Sequence, residues 1–322
     1  MDSLNQILFD DKSFGDLLKE IHGNQKKKAK QLASLIAELR PLVQSLGDAT
    51  VVVPLIKEYM ELDFPVPVNG DDYVYMSQVL QAYGMTKGIY AHRRTKPYNM
   101  GTLYWQLNDC WPGASWSSLD YFGNWKALHY FAKEFFNPLL ISIENKENYI
   151  SVFVVNDGDR IKNSTVAIEI RDFSGEILYN HEFIVDVKPN TSEKVFTEKK
   201  KRIVPRNKLK EVSLRAKMIF DNEIICHNDY IFDRPKNLKI PKQDFFTTVE
   251  KSGDIYLVKI QSKSFIYRFY ALCSNDFGRF DMNYFNMFPG ETRTIKFFPS
   301  KEIKEGFNFK PIFKFNSVDG LS

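Results

Sequence analysis

The spacing of apolar residues changes near residue 137, from every third or fourth position to every second. Residues 1–62 read as helical. Phe14, Leu17, Leu18 and Ile21 share one face behind an Asp11 or Ser13 cap, and Leu32, Leu35, Ile36, Leu39, Leu42, Val43 and Leu46 continue the stripe. A break is expected at Pro41 and another at Gly47, after which "VVVPLIKEYMEL" starts a further short helix. The stripe suits an oligomerisation seam and an internal bundle face equally. Pro65, Pro67, Asn69 and Gly70 then punctuate the chain. Asp71 or Asp72 is expected to cap a helix carrying Tyr75, Val79, Tyr83 and Ile89 and ending in the basic turn "AHRRTKP".

The stretch "GTLYWQLNDCWP", from residue 101, is mostly apolar or aromatic and then breaks into Asn108, Asp109 and Cys110. It predicts a strand over 101–107 whose polar carboxyl end marks a ligand-facing edge, as in parallel sheets. A tryptophan-rich loop to about Gly123 and a helix from Asn124 follow. Leu103, Trp105 and Leu107 would share one face of that strand, with Thr102, Tyr104 and Gln106 on the other.

Beyond residue 137 the segments "YISVFVVN", "TVAIEIRDF", "EILYNHEFIVDV", "VSLRAKMIF" and "EIICHNDYIF" alternate and are separated by turns. They predict an antiparallel sandwich over 137–235. "FDRPKNLKIPKQ" reads as a Pro- and Lys-rich linker. A second sandwich over 243–322 is expected from "DIYLVKIQSK", "FIYRFYALCS" and "ETRTIKFFP", with a further possible strand in "NFKPIFKFN". The linker is expected to separate two independently folded bodies that a protease would part between 234 and 243.

Composition narrows the function classes. A net charge of +4 is too small to argue for a nucleic-acid partner. Aromatics make up 15% of the chain, which suits sandwich cores and sugar-stacking surfaces alike. Cys110, Cys226 and Cys273 are unpaired in spacing and the five histidines show no ligand spacing, so no metal and no cofactor is expected. No apolar run is long enough to span a bilayer and no secretory signal is visible, which gives the expectation of a cytoplasmic chain without membrane contact.

The segment "YMSQVLQAYGMTKGIYAHRRTKPYNMGTLYWQLNDCWPGASWSSLDYFGNWKALHYFAKEFFNPLL" resembles the end of the catalytic barrel of β-mannosidases in glycoside hydrolase family 2. "GRFDMNYFNMFPGETRTIKFFP" resembles that family's last sandwich, so the likeness covers roughly 63–322. It implies a mixed architecture: a helical segment over 1–62 unrelated to the family, the last strand and helix of a (β/α)₈ barrel over 63–136, and two immunoglobulin-like sandwiches. It also implies a retaining hydrolysis of terminal β-mannosyl residues in the intact family, performed by two carboxylates about 5–5.5 Å apart. The family's Asn-Glu and Ser-Glu-Phe-Gly-like contexts for those carboxylates are not found upstream of residue 65. Asn222-Glu223 and Ser192-Glu193 sit in the predicted sandwich, away from any barrel mouth, so no residue here is assigned a catalytic role.

The resemblance places Trp105 at the family's sugar pocket, as a stacking platform or as a buried barrel tryptophan. Asn108 and Asp109 would bond substrate hydroxyls or close the strand-to-loop turn. Trp116 is a further candidate at the pocket wall, although it and Trp111 are expected to pack the loop. Asn124 is read as a helix cap, Lys126 as a first-turn residue, His129 as packed, and Arg93 and Arg94 as ties of the barrel rim. Two functions compete: a β-mannosidase-like hydrolase fragment inactive alone, whose intact family takes β-mannosides or mannose-containing oligosaccharides, and a non-catalytic glycan- or partner-binding protein that self-associates through its N-terminal helices. A barrel shared between polypeptides is a third, remoter arrangement.

Overall fold

A computed structural model describes residues 53–274, 278–300 and 313–318. The expected helical stripe at 14–46 lies outside them. The first described helix, α1, runs Val53–Asp63 and closes on a Phe64 N–H donated to the Met60 carbonyl at 2.7 Å. Helix α2 runs Gly70–Arg94. Its cap is Asn69 rather than Asp71 or Asp72: the Asn69 Oδ1 accepts the Asp72 N–H at 2.9 Å. The two aspartates occupy the first turn and His92, Arg93 and Arg94 the last, so both ends of the helix dipole are complemented. Helix α3 runs Ala127–Phe135, starting three residues later than expected, because Asn124 is held back by Asp120.

Between α2 and α3 the expected strand over 101–107 is not formed. A strand needs a partner, and here the backbone meets only isolated bridges, Asn108 to Leu119 and Leu119 to Trp125. The peptide between Trp105 and Gln106 is cis. The predicted two-face alternation nonetheless holds: Leu103, Trp105 and Leu107 point to solvent, while Thr102, Tyr104 and Gln106 are half-buried.

The first sandwich pairs a three-stranded sheet, β1 (Leu139–Lys146), β2 (Tyr149–Asn156) and β5 (Thr191–Lys199), with a four-stranded one, β3 (Ile161–Asp172), β4 (Ile177–Val187), β6 (Val212–Phe220) and β7 (Glu223–Ile231). Two of its hairpins turn on residue pairs that both take positive φ, Glu147-Asn148 and Asp221-Asn222, the geometry that matches strand twist. A short helix α4 (Lys200–Ile203) brings Ile203 into the core under β5. The second sandwich sets β8 (Phe245–Ser252), β9 (Ile255–Ser262), β11 (Arg279–Phe280) and β13 (Thr292–Phe298) against β10 (Ile266–Cys273), β12 (Phe285–Met287) and β14 (Phe313–Asn316).

Each sandwich has its own buried core. A third cluster joins them to the helices: Met60, Phe64, Met76, Val79, Leu128 and Phe135 pack with Phe173 of the first sandwich and with Phe265, Tyr267, Tyr284 and Phe288 of the second. Phe173 and Phe265 stack at 4.1 Å, nearly parallel. The linker is part of this assembly. Pro235 is buried, Leu238 and Ile240 touch the cluster, and Arg234 and Lys236 donate to the carbonyls of Leu62 and Glu61 at 2.9 and 2.5 Å. The two sandwiches, the linker and the helices from Ile56 onward form one compact unit. No described helix is long and apolar enough to cross a membrane.

Candidate functional site

The loop between α2 and α3 gathers the four residues singled out in the sequence, and it does so unevenly. Trp105 is 75% exposed and Trp116 71% exposed, in line with Leu103 at 98%. Trp111 is exposed as well, so neither Trp111 nor Trp116 packs the loop as expected. Nothing described lies over these side chains, because the loop's internal packing is made by its serines and by Tyr104, whose hydroxyl lies 2.9 Å from the Ser118 Oγ. Trp116 is held by its backbone alone, its carbonyl accepting from the Gln81 Nε2 at 2.9 Å.

Asp109 is the opposite case. It is 7% exposed, and its Oδ2 accepts from the Lys126 Nζ at 2.7 Å while Ser115 donates to its Oδ1. Lys126 also donates to the Ser117 Oγ at 2.8 Å. Burial pushes the Asp109 carboxyl up, but the bonds from Lys126, Ser115 and Ser117 outweigh it and hold the group below the usual carboxylate range. Asp109 is thus an ionised, fully engaged carboxylate that fixes the loop. Asn108 beside it is exposed, its Nδ2 reaching only the Asp109 carbonyl at 3.3 Å, so its amide remains presented to solvent.

Asn124 is not a helix cap. Its N–H and its Nδ2 each reach an Asp120 oxygen at 2.8 Å, which closes the turn ahead of α3. Lys126 occupies the cap position, without a side-chain bond to the helix, and spends its ammonium on Asp109. The His129 ring lies 4.4 Å from Trp125, and its Nδ1 lies 3.1 Å from the Ser118 Oγ; burial lowers its proton affinity. Arg93 and Arg94 tie α2 to the first sandwich: Arg93 donates to the Phe135 and Asn137 carbonyls and to Asp157, Arg94 to the Ser142 Oγ.

The Asp109–Lys126 pair and its serines escaped sequence reasoning. Partners seventeen positions apart in an irregular loop carry no periodic signal, and Lys126 read as an ordinary first-turn residue. Among the described residues no group of His, Cys, Asp and Glu is arranged to hold a metal. What the arrangement offers chemically is a rigid base carrying a row of exposed indole and leucine side chains with the exposed Asn108 amide at its end. That row can stack an apolar ring face and bond one polar edge.

Comparisons with known proteins agree with this division. Residues 148–237 match the Mannosidase Ig/CBM-like domain and 239–318 an Ig-fold domain of the mannosidase type. The chain is 28% identical to a β-mannosidase of Capra hircus over 277 residues, covering 78% of this chain and 31% of that protein. It is 34% identical to a β-mannosidase of Mus musculus over 128 residues, covering 36% and 15%. Among solved structures, a β-D-mannosidase from Dictyoglomus thermophilum superposes with a TM-score of 0.70 at 24% identity, over 81% of this chain and 31% of that one. An exo-chitosanase of Amycolatopsis orientalis superposes at 0.63 with 16% identity, over 82% and 36%. These two likenesses establish the shared fold. The chain spans about a third of the length of the relatives it matches.

Proposed function

On the premise that the C-terminal part of this chain is related to the β-mannosidases of glycoside hydrolase family 2, we propose that it is the rear third of a β-mannosidase-like hydrolase. In this reading residues 63–136 are the closing segment of a (β/α)₈ barrel and the two sandwiches brace it. The observation that carries the proposal is the row Leu103, Trp105 and Leu107. It alternates like a strand and is exposed like one stripped of its neighbours. The open side of α2 supports the same reading: nothing lies within 4 Å of a Cβ built on Gly84 or Gly88, one helical turn apart. Both features fit a surface that further barrel strands would cover.

Within that reading Trp105 is the platform on which a mannosyl ring stacks, Asn108 bonds one of its hydroxyls, and Trp116 walls the pocket. Asp109 is a positioning residue, since both of its oxygens are engaged by Lys126 and Ser115. The two catalytic carboxylates come from barrel segments beyond this chain. We expect the isolated chain to leave aryl β-mannosides at the background rate, and hydrolysis to appear when it is joined to the upstream two-thirds of a related β-mannosidase. Turnover by the isolated chain that survives purification, and drops on mutation of one of its own residues, would overturn the reading.

A further inference from the structure

A cavity of about 780 Å³ lies where α2, α3, the linker and both sandwiches meet. One side of α2 sends Tyr83, Thr86, Lys87 and Tyr90 into it, at the spacing of a single helix face, and α3 adds Phe131 and Glu134. Facing them is Arg268, at the point where the register of β10 shifts, with φ of 61°. A long side chain in the left-handed region is held there by its surroundings. The Tyr75 hydroxyl donates to the Arg268 carbonyl at 2.6 Å and the Asn286 Oδ1 accepts its N–H at 3.1 Å. The guanidinium lies over the Phe131 ring, 4.6 Å from its centre, and gives one N–H to the Tyr284 carbonyl at 3.2 Å. The bulge therefore aims a fixed set of donors into the cavity.

Several polar groups on these walls have no partner. The Glu134 carboxylate sits at the exposed mouth of the cavity and makes neither a hydrogen bond nor an ion pair with any described residue. The Lys87 ammonium rests on the Tyr83 ring at 3.9 Å and has no carboxylate in ion-pair range. The hydroxyls of Thr86 and Tyr267 are buried without hydrogen-bond partners; Tyr267 is 1% exposed, and its hydroxyl lies beside Arg268 without hydrogen-bonding geometry to it. A buried polar group left unpaired costs about 1–3 kcal/mol, so two such hydroxyls on the walls of one cavity are not a packing accident that selection ignores.

The composition of the walls restricts what fits. Five carboxylates and five cationic side chains line the cavity, so no net field favours an anion or a cation. Tyrosine and phenylalanine rings offer flat apolar faces, and the volume is that of a small-molecule site. A neutral ring that presents C–H bonds on its faces and hydroxyls at its edge satisfies all of these at once. We propose that this cavity binds a neutral mono- or disaccharide, with hydroxyls donating to Glu134 and accepting from Arg268 and Tyr267. The sugar class follows from the lining alone, so the proposal stands or falls apart from the hydrolase reading.

The full chain is titrated with mannose, β-1,4-mannobiose and cellobiose by calorimetry, alongside Glu134→Leu, Thr86→Val and Trp105→Ala. We expect one of the sugars to bind the wild-type chain, and Glu134→Leu and Thr86→Val each to weaken it by about tenfold or more. Because Glu134→Leu removes an unpaired carboxylate, its melting temperature should hold or rise, which separates lost binding from lost folding. Absence of binding by all three sugars would leave the cavity to water and overturn the proposal. So would binding that Trp105→Ala removes and Glu134→Leu spares.

Discussion

Asp109 and Lys126 meet at 2.7 Å with side chains only 3% and 11% exposed, and among the described residues no other cation reaches that carboxylate. Removing one partner leaves the other charge buried and uncompensated, which costs roughly 3–5 kcal/mol. Lys126→Met should lower stability by about that amount in urea unfolding, and Asp109→Asn by less, because the amide still accepts from Ser115. A Lys126→Met variant within about 0.5 kcal/mol of wild type would show that the pair does not anchor the loop.

Arg215 joins the sandwiches: it clamps Asp229 of β7 at 2.6 and 2.9 Å and reaches Glu291 of the second sandwich at 2.6 Å. Burial raises the Asp229 carboxyl, but Arg215, His227 and Asn286 together bring it down to about 2. An unfolded aspartate titrates near about 3.9, so this contribution to stability is whole above that pH and is lost as the pH falls towards 2. Acid unfolding followed between pH 5 and pH 2 should shift to higher pH in Arg215→Met. An unchanged profile would remove the clamp from the account.

Much of this architecture is legible in the residues, and the failures have physical causes. The strands β2, β3, β4, β6, β7, β9, β10 and β13 were read from their rich content of β-branched and aromatic residues between turns, although β2, β3 and β6 are buried almost continuously rather than in alternation. β5 and β8 escaped because their residues are largely half-buried or exposed, as in "TSEKVFTEK" and "FFTTVEKS"; β1 was also missed, running straight on from the end of α3, as were the short β11 and β12. Asn69 was passed over as a cap in favour of the aspartates that follow, since Asn and Asp both cap helices well. The face assignment of 102–107 was correct even though the strand itself is absent, because side-chain alternation needs only an extended backbone, whereas a strand needs a neighbour.

Gly278 is a position where a side chain has no room. A Cβ there would lie 2.4 Å from the Phe298 carbonyl oxygen and 2.5 Å from the buried Phe297 ring. Gly278→Ala should destabilise by roughly 1–3 kcal/mol through displacement of β13. Thermal unfolding checks this, and a neutral result would mean that the strand pair yields more easily than its packing suggests.

The row of Leu103, Trp105 and Leu107 should make the chain adhesive. An exposed apolar patch of this kind binds hydrophobic dyes and promotes association. Leu103→Lys with Trp105→Lys should reduce dye fluorescence and sharpen the elution profile in size-exclusion chromatography without lowering the melting temperature. Equal dye binding before and after the change would locate the sticky surface elsewhere.

The linker at 232–243 should resist proteolysis despite its lysines and prolines. Arg234 and Lys236 are tied to carbonyls of α1, and Pro235 is buried. Under limited trypsin digestion we expect residues 56–300 to survive as one fragment. Early cleavage at Arg234 or Lys236 would show that these ties open readily.

The aromatic cluster of Phe173, Phe265, Tyr284 and the inner faces of α2 and α3 bears on how such proteins can be recombined. Its side chains belong to three sequence segments, yet they form one interior. A crossover between two relatives placed at the start of β1 would leave helices from one parent against sandwiches from the other. The mismatch would fall on stacked rings spaced 4.1 to 5.9 Å apart, where a change of a few atoms in size is felt at once. Successful exchange should therefore require α2, α3 and the second sandwich to travel together, which makes the heritable module of this fold discontinuous along the chain.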